Sequence, residues 1–523
     1  MQNVSSFDLE PVRGTNDVLP AECETLSQLG GELTGTFVCY GYRPVDVPII
    51  EHTDLVLKKA GEEIAARLYA FVHHNRKICL RPEFTASVMR SYIHNMQSEP
   101  LPVRLSYSGP AFRYEKPQRG RYRQFTQVGV ELIGSSSPMA DAEVIHLACR
   151  GLDAVGLGDY RLVVGHVGVL LEFLEQLGLD EHIRSVLVAS LESLGKEGQG
   201  MAHVRARVRE FCPELPGVRP APEASAAHRE SESTQATVPS SALRRFLHTA
   251  GEAEAIEIIR ELLATTSIGI EDSSRSPEEI LGRLIAKLKR QEQAGRLERA
   301  LAFMEELGRL QGSPADVLKE AGALLDRHEL KHSPLDQLRE ILALLDAYKL
   351  NGSRITLDFG LGRGLQYYTG VIFEVHHNAL GSESQVCGGG RYDDLIRLLG
   401  GRSDVPACGF SYGLERVKLA LEAEAKLPAK PRPIDALVIP VSPAENAYAV
   451  EIAEQLRGLG LPVSLDIREH SVKAGLKYAD RFAIPFVVIV GSREAAEGSA
   501  VVRNMGTREE KTVAVGQLGE AVR

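Results

Sequence analysis

The sequence lacks the cysteine patterns on which small secreted domains and zinc ribbons depend. Its seven cysteines lie singly, at positions 23, 39, 79, 149, 212, 387 and 408, and no two of them form a Cys-x-x-Cys pair. This spacing excludes a disulfide framework and a zinc-ribbon site, and it fits a reducing compartment.

Long apolar runs are also missing. A membrane span needs about 18 uninterrupted apolar residues, and no stretch of the chain approaches that length. The first residues, Met1 to Ser5, have neither the basic nor the apolar segment of a signal peptide. The sequence therefore predicts a cytoplasmic protein that does not enter a membrane.

Positive charge is not in excess. The chain has 60 Lys and Arg residues against 70 Asp and Glu residues, a net charge of −10. This balance argues against a protein that coats nucleic acid through charge alone, so any nucleic-acid contact has to be local. With 44% hydrophobic and 25% charged residues over 523 positions, the composition predicts a folded protein of about three domains.

The sequence of the middle of the chain predicts a block of helices with a linker. Residues 213–241 contain five prolines and no aromatic residue, a composition typical of a flexible linker. Downstream, Ser276, Ser313 and Ser333 each precede a proline. Serine is a favoured N-cap, and proline is favoured at the first helical position because its missing N–H costs nothing there. The pattern predicts helices from about 245 to 350.

The last ninety residues alternate between strand and helix patterns. Helices of 12 to 15 residues between short apolar runs are typical of βαβ units, so these residues predict a small α/β domain. The proline-rich residues 427–433 are its predicted hinge. The predicted strands are Ala436–Val441, Pro462–Ile467 and Phe486–Val490, with helices that begin at Ala444 and Ser471.

The densest chemical signal is Phe112 to Phe125. Five basic residues and one acidic residue lie between positions 112 and 123, with aromatic residues interleaved. Guanidinium groups match phosphate oxygens and an aromatic face can stack on a purine, so a nucleotide site is one interpretation. A solvated hairpin tip is the other.

The next residues alternate as a strand does. Gln127, Gly129 and Glu131 share one face, and polar groups on an otherwise apolar strand need a partner, which a ligand would supply. A solvent-facing Glu131 is the alternative. Glu83 and Thr85 similarly lie at the N-terminal end of a predicted helix from Ala86 to Asn95. They are candidates for ligand contact, and the alternative for Thr85 is a helix N-cap.

In each of three further stretches, an arginine lies close to several glycines. Residues 360–370 do not match a dinucleotide-binding fingerprint, because that motif is followed by a helix and these residues are followed by a predicted strand. Residues 388–393 do not match a P-loop, because they lack its Lys-Ser/Thr pair. Their glycines alternatively mark bulges or strand ends. Arg416 follows Gly409 to Glu415 near a predicted helix N-terminus; it is either a phosphate ligand or a surface arginine.

Taken together, these segments resemble the class II aminoacyl-tRNA synthetases, and within them the histidyl-tRNA synthetase family. Residues 44–51 resemble motif 1, which builds the homodimer interface in that family. Residues 112–134 are similar to motif 2 and residues 409–416 to motif 3. The histidine-specific stretches correspond to residues 362–369 and 388–393.

The resemblance implies an α+β fold. Its catalytic domain is a six-stranded antiparallel sheet flanked by helices, with a helical insertion and a C-terminal α/β anticodon-binding domain. The expected boundaries are 1–160 and 351–426 for the catalytic domain, 161–350 for the insertion and 432–523 for the anticodon-binding domain.

The implied activity is that of a histidine–tRNA ligase. Histidine and ATP would form histidyl-adenylate and pyrophosphate, and histidine would then pass to the 3′ end of tRNA(His). Mg²⁺ would accompany ATP without protein ligands of its own, and the protein would form a homodimer. The first step needs no general base because the substrate carboxylate is already a nucleophile, so positioning and charge stabilisation carry it.

The resemblance also assigns roles to residues. The expected catalytic residues are Arg113, Arg363 and Gln127. The expected ATP ligands are Arg113, Glu115, Arg121, Phe125 and Arg416. The expected histidine ligands are Glu83, Thr85, Gln127, Glu131, Tyr367, Tyr368 and Tyr392. The expected tRNA contacts are Gln118, Arg119, Lys473, Lys477 and Arg481.

Two positions depart from the family pattern: Gln366 stands where aspartate is common, and Phe84 stands where glycine is common. A catalytically silent relative that binds histidine, like the regulatory subunit of ATP phosphoribosyltransferase, is the main alternative. Such subunits generally lack an anticodon-binding domain and the ATP-binding arginines, whereas both are present here. A tRNA-sensing module fused to a kinase is a third option, but no kinase segment is visible. The sequence therefore favours an active enzyme.

Overall fold

The computed structural model describes residues 9–58, 66–195, 200–211, 293–362, 367–428 and 434–522. The chain divides into two compact units, and the main boundary between them follows Leu427. The predicted linker at 213–241 and the predicted helix start at Ser276 lie outside the described residues.

The strands of the described residues are β1 (Arg43–Pro44), β2 (Ile50–His52), β3 (Ala70–His73), β4 (Arg76–Leu80), β5 (Val103–Phe112), β6 (Gln124–Ile133), β7 (Arg161–His166), β8 (Gln311–Gly312), β9 (Ile355–Asp358), β10 (Val371–His376), β11 (Gln385–Arg391), β12 (Ala407–Gly413), β13 (Ala436–Pro440), β14 (Val463–Leu465), β15 (Phe486–Val490), β16 (Ser499–Asn504) and β17 (Glu510–Ala514).

The α-helices of the same ranges are α1 (Pro20–Cys39), α2 (Thr53–Leu57), α3 (Thr85–Asn95), α4 (Pro138–Ala154), α5 (Gly168–Gln176), α6 (Glu181–Ser190), α7 (Glu192–Gly195), α8 (Gly200–Phe211), α9 (293–307), α10 (Pro314–Arg327), α11 (Ser333–Ala347), α12 (Leu395–Leu398), α13 (Leu414–Ala423), α14 (Asn446–Gly458), α15 (Val472–Arg481), α16 (Ser492–Glu497) and α17 (Leu518–Ala521).

A nine-stranded sheet forms the centre of the larger unit, in the order β1-β5-β6-β12-β11-β10-β7-β9-β8. The six strands from β5 to β7 in this order are all antiparallel to their neighbours. The parallel strands β1 and β9 pair with the two ends of this antiparallel set. The predicted six-stranded antiparallel catalytic sheet is therefore confirmed, with additional strands at both edges.

Helices cover the sheet where apolar residues recur at helical spacing. The long helix α4 begins after Ser137, whose hydroxyl accepts a hydrogen bond from the N–H of Met139, and has Pro138 in its first turn. Its buried residues include Val144, Leu147 and Leu152, which belong to the main core. The helix predicted from Ala86 to Asn95 is present as α3, and the helix α1 precedes the motif 1 segment.

The helical block between the catalytic segments begins after β7, because β7 pairs with β10 and β9 inside the main sheet. Ser313 is the N-cap of α10, as predicted, and its hydroxyl accepts a hydrogen bond from the N–H of Asp316. The predicted N-cap role of Ser333 is wrong. Ser333 is already helical because the backbone of His332 lies in the right-handed helical region, so α11 begins one residue earlier.

The smaller unit contains a five-stranded sheet in the order β14-β13-β15-β16-β17. Strands β14 and β15 both pair in parallel with β13, so the predicted βαβ units are confirmed. Strands β16 and β17 extend the sheet with antiparallel pairing, which the sequence prediction did not include. Among the helices in the described ranges, none has both the length and the apolar character needed to cross a membrane.

Glu424 fixes the C-terminal end of α13 to the sheet. Its carboxylate accepts hydrogen bonds from the N–H groups of Gly158 and Asp159, at 3.2 and 2.8 Å, and lies 3.1 Å from Nε2 of His377. Burial alone would raise the pKa of this carboxyl, but hydrogen bonds from Lys426, from these N–H groups and from His377 outweigh it and lower the pKa to about 2. Glu424 thus stabilises the fold in its ionised form.

We expect Glu424→Gln to lower the free energy of unfolding by about 1 to 2 kcal/mol at pH 7, because hydrogen bonds to a charged acceptor are lost. A lowered pKa in the folded state contributes stability above the pKa of the unfolded chain, and this contribution falls as the pH drops toward 2. Urea unfolding of both proteins at several pH values should therefore show the difference shrinking below about pH 5.

Glu340→Gln, which changes an exposed glutamate of α11, is the matched control and should have little effect at any pH. A difference for Glu424→Gln that stays constant from pH 7 to pH 3 would contradict this account.

Candidate active site

The central face of the large sheet carries a buried row of polar residues. Strands β6 and β12 pair so that Glu131 lies opposite Gly409 and Gly129 lies opposite Ser411. Glu131 is fully buried, and Gln127 is 6% exposed. The prediction that Gln127, Gly129 and Glu131 share a face is confirmed, and the alternative of a solvent-facing Glu131 is wrong.

Three hydroxyl groups surround the carboxylate of Glu131. Thr85 Oγ1 donates a hydrogen bond to Oε1 at 2.8 Å, and the phenol of Tyr107 donates to the same oxygen at 3.2 Å. The phenol of Tyr392 donates to Oε2. Because a buried carboxylate is costly unless donors surround it, these hydroxyls stabilise it in the ionised form.

Two glycines make room for this arrangement. A Cβ atom on Gly409 would collide with Glu131 Oε2 and with the Tyr392 hydroxyl, and a Cβ atom on Gly129 would lie 2.7 Å from the Tyr107 hydroxyl. The polar row therefore depends on the absence of side chains at these two strand positions.

An aromatic cluster lies beside the carboxylate of Glu131. Tyr367 and Tyr368 are 7% and 6% exposed. The ring of Tyr392 lies 5.5 Å from that of Tyr367, edge-on, and 6.0 Å from that of Tyr368. All three expected tyrosines thus meet at one place, next to Glu131.

Gln127 has an unsatisfied oxygen in this site. Its side-chain nitrogen donates to Ser411 Oγ at 3.1 Å, whereas its Oε1 is buried and makes no hydrogen bond. Buried polar atoms without a partner are rare in folded proteins, and a ligand with an N–H donor would satisfy this one.

Glu83 holds the start of α3 rather than pointing into bulk solvent. Its two carboxylate oxygens accept the N–H groups of Thr85 and Ala86 at 2.8 and 3.0 Å. Helix α3 begins at Thr85, with Phe84 at the N-cap position and no side-chain bond from it. The alternative of Thr85 as N-cap is therefore wrong, because Glu83 satisfies these N–H groups and the Thr85 hydroxyl turns toward Glu131.

Arg113 lies beside the polar row. Its Nε donates to the carbonyl oxygen of Pro82 at 2.9 Å, and its guanidinium carbon lies 5.2 Å from the ring centre of Phe125. Burial lowers its pKa and the nearby positive charge of Arg416 acts in the same direction, while acidic neighbours such as Glu115 oppose the shift. An arginine remains charged at neutral pH despite such a shift, so this group presents a desolvated positive charge.

Glu115 is enclosed by basic residues. It forms an ion pair with Arg121, and Arg67 Nη1 lies 3.4 Å from its Oε1. Burial acts to raise the pKa of this carboxyl, but the hydrogen bond from Arg121 and the positive charges of Arg113, Arg121 and Arg67 lower it overall. Arg121 is thus held in place by an ion pair within the motif 2 segment.

Arg416 connects α13 to the loop of motif 2. It lies in the first turn of the helix, where its Nε donates to the carbonyl oxygen of Gly120 at 2.8 Å and its Nη1 donates to that of Gln385 at 2.9 Å. Glu415 accepts the N–H of Thr126 at 2.8 Å. The alternative of a surface arginine is wrong, and Arg416 shares one cluster with Arg113 and Glu115.

Comparisons with known proteins agree with this geometry. The family model "Histidyl-tRNA synthetase" matches residues 14–267 and 255–417, and the model "Anticodon binding domain" matches residues 435–523. The curated histidine–tRNA ligase of Methanococcus vannielii is 30% identical over 97% of this chain and 98% of its own length. That of Thermococcus kodakarensis is 32% identical over 97% of this chain and 96% of its own. This chain belongs to the histidyl-tRNA synthetase family.

A solved structure supports the fold alone. The apo histidyl-tRNA synthetase of S. aureus is 24% identical and has a TM-score of 0.57, over 99% of this chain and 100% of its own. The expected family and fold class are thus confirmed. The domain boundaries and the roles of single residues remain predictions.

Not every residue expected from the family lies in the pocket. Gln118 and Arg121 pair across the turn at the tip of the motif 2 loop, and Arg119 there is 81% exposed, 3.6 Å from Glu422. Arg363 and the divergent Gln366 lie outside the described residues.

The candidate tRNA residues of the smaller unit are exposed on one helix. Lys473, Lys477 and Arg481 recur every fourth residue along α15 and are all exposed. Tyr478 and Phe482, on the adjoining face, are 39% and 50% exposed. The described geometry is compatible both with a nucleic-acid contact and with a solvated helix face.

The sequence prediction missed Tyr107 and Ser411. Tyr107 lies on the buried face of β5 in alternation with Val103 and Leu105, and Ser411 is inside the motif 3 stretch. The alternation in β5 was a usable signal, because a tyrosine on a buried face usually directs its hydroxyl to a partner.

Proposed function

We propose that this protein is a histidine–tRNA ligase whose pocket recognises histidine through the buried carboxylate of Glu131 and activates it beside the arginine cluster of motif 2. The protein is an enzyme that forms aminoacyl-tRNA, as its family and its curated relatives are. The observation that carries the residue assignment is a fully buried carboxylate that accepts hydrogen bonds from three hydroxyl groups. Such a carboxylate can accept a hydrogen bond from the N–H of a neutral imidazole ring.

Histidine is held at both ends in this proposal. Glu131 and Tyr368 contact the ring nitrogens, with Tyr367 and Tyr392 around them. The orphaned Oε1 of Gln127 accepts a hydrogen bond from the α-ammonium group of the substrate. The list of proposed histidine ligands is Glu83, Thr85, Gln127, Glu131, Tyr367, Tyr368 and Tyr392.

ATP lies along the arginine cluster. Arg113 contacts the α-phosphate, Arg416 contacts the γ-phosphate, and Phe125 stacks on the adenine. Glu115 and Arg121 bind the adenine and the outer phosphates after their mutual ion pair opens or shifts. Arg363 is assigned beside the α-phosphate by family resemblance alone.

The first step is an in-line substitution at phosphorus. An oxygen of the histidine carboxylate attacks the α-phosphorus, a new C–O–P link forms, and the bond to the pyrophosphate oxygen breaks. The fixed charges of Arg113 and Arg416 stabilise the negative charge that spreads over the phosphoryl oxygens. In the second step, a ribose hydroxyl at the 3′ end of tRNA attacks the histidyl carbonyl, and AMP leaves.

Mg²⁺ accompanies ATP in this proposal. Among the described residues, no group of three or more His, Cys, Asp or Glu side chains is arranged to hold a metal ion. The ion would therefore be bound mainly by the phosphates, whose charge it neutralises, and protein residues would position the nucleotide itself.

The alternative of a silent regulatory relative is not favoured. The curated relatives that align with nearly the full chain are named ligases, and residues 435–523 match an anticodon-binding domain. We place the protein in the cytoplasm because its cysteines are scattered singly, and cell fractionation would test this location.

Two tRNA contacts and a homodimer complete the proposal. Gln118 and Arg119, at the exposed tip of the motif 2 loop, meet the acceptor end. Lys473, Lys477 and Arg481 on α15 meet the anticodon arm. Motif 1 leads into the small sheet β2-β4-β3, on which Ile50 and Val72 are 52% and 67% exposed, so a second copy would cover them.

We expect the purified protein to exchange pyrophosphate into ATP only when histidine is present. In the same assay, Glu131→Gln should lower kcat/KM for histidine by about 100-fold, because a charged hydrogen bond to the ring is lost, while the KM for ATP changes little. Arg416→Gln is the control with the opposite expected selectivity: it should raise the KM for ATP more than the KM for histidine.

A protein that binds histidine yet exchanges no pyrophosphate would favour the regulator. Equal losses toward histidine and ATP in Glu131→Gln would show that Glu131 is structural.

The tRNA assignment predicts a separation of the two steps. Lys473→Ala combined with Lys477→Ala should raise the KM for tRNA(His) and flatten its salt dependence, since phosphate contacts are lost, while pyrophosphate exchange stays unchanged. Lys511→Ala, an exposed lysine on β17 of the same unit, is the control. Unchanged aminoacylation by the double variant at every salt concentration would remove α15 from the interface.

The dimer assignment predicts that Ile50→Glu yields monomers in analytical ultracentrifugation, because a charge would then be buried between two copies. Val450→Glu changes an equally accessible apolar residue, 45% exposed on α14, and should leave the mass unaltered. If the wild-type chain sediments as a monomer at micromolar concentration, the assignment is wrong.

A further inference from the structure

Three flat side chains stack next to the proposed histidine pocket. The ring of Phe84 lies parallel to that of Tyr107, with 4.4 Å between centres and 3° between planes. On its other side, the guanidinium carbon of Arg81 lies 3.7 Å from the Phe84 ring centre. Arg81, Phe84 and Tyr107 are 2%, 1% and 3% exposed, so the whole stack is buried.

The outer member of this stack is fixed by the backbone. Arg81 Nε donates to the carbonyl oxygen of Pro110 at 2.8 Å, and its Nη1 donates to that of Val47 at 2.6 Å. Burial lowers the pKa of Arg81, although nearby acidic residues oppose the shift. A desolvated cation is attracted to the face of an aromatic ring, so Phe84 is held against Arg81.

Glycines on two adjacent strands leave space for the stack. A Cβ atom on Gly109 would lie 3.0 Å from Arg81 Nη2 and 3.1 Å from Phe84 Cζ. Gly129 lies opposite Tyr107 in the sheet. Because it has no side chain, the Tyr107 hydroxyl can pass directly over it. The sheet is therefore shaped around the stack and around the phenol that projects from it.

The inner member of the stack reaches the recognition carboxylate. The Tyr107 hydroxyl donates to Glu131 Oε1 at 3.2 Å. Burial, and then the charge of Glu131, raise the pKa of Tyr107 well above its usual value, so the phenol remains a donor at neutral pH. The O–H bond of a phenol prefers to lie in the plane of its ring, so the ring plane that Phe84 imposes sets the direction in which this O–H bond points.

We propose that Arg81 and Phe84 are positioning residues, which hold the Tyr107 hydroxyl on Glu131 and thereby set the affinity of the pocket for the imidazole ring. This inference rests on the proposed role of Glu131 in histidine recognition. Without the stack, the tyrosine ring would turn about its Cβ–Cγ axis. The phenol oxygen would stay on that axis, but its O–H bond would turn away from Glu131, whose carboxylate would then be less well oriented toward a ring N–H.

A double-mutant cycle on histidine binding tests the inference. The variants are Phe84→Leu, which keeps an apolar side chain but removes the flat face, Tyr107→Phe, which keeps the ring but removes the hydroxyl, and their combination. Isothermal titration of each full-length protein with L-histidine, without ATP, gives the affinities. Urea unfolding of the same samples gives their stabilities.

Tyr107→Phe should weaken histidine binding by about 10- to 100-fold, the effect of one hydrogen bond to a charged group. Phe84→Leu should weaken it by several-fold, and the double variant should bind no worse than Tyr107→Phe within about twofold. Phe173→Leu removes another buried, stacked phenylalanine, 3.9 Å from Phe303, and should lower stability without changing histidine affinity.

Losses that multiply in the double variant would overturn the inference, because Phe84 would then act independently of the Tyr107 hydroxyl. If Phe84→Leu does not fold, Arg81→Lys in the same cycle replaces it, since lysine keeps the charge but not the flat guanidinium. A wild-type protein that binds no histidine would instead overturn the proposed function itself.

Discussion

A carboxylate that is buried in a protein core has to be surrounded by hydrogen-bond donors, and this requirement organises the proposed catalytic face of the larger unit. Glu131 is fully buried and receives hydrogen bonds from α3, from β5 and from the residue that follows β11. Segments far apart in the sequence are thus brought to one point. The glycines opposite and beside Glu131 follow from the same requirement, since any larger residue would occupy the space of the hydroxyls.

The arginine cluster obeys a related constraint. Arg113 and Arg416 donate hydrogen bonds to backbone carbonyl oxygens, which orient their guanidinium groups. Arg121 forms an ion pair with Glu115. Oriented positive charges that retain their charge are suited to a reaction in which negative charge spreads over a phosphoryl group, because no reorganisation is needed when it develops. In the proposed function, recognition and activation use two different ways of stabilising charge, side by side on one sheet.

The sequence predicted the elements with strong periodicity well. Strand β6, helix α3 and the βαβ units of the smaller unit correspond closely to their patterns, because alternation and helical spacing reflect local burial. It did not predict the stack of Arg81, Phe84 and Tyr107, since the partners of a side chain depend on how β4, α3 and β5 pack together. Phe84 appeared only as a departure from the family pattern. The start of α11 was misplaced by one residue because the conformation of His332 decides it, and a serine-proline pair does not encode that conformation.

The most direct measurement is the ¹⁵N NMR spectrum of ring-labelled histidine bound to the full-length protein. The account predicts a neutral ring in a single tautomer, with one N–H proton shifted by a strong hydrogen bond to a carboxylate, and loss of that shifted signal when Glu131 is replaced by glutamine. A bound ring with shifts like those of free histidine, unchanged by the replacement, would contradict it.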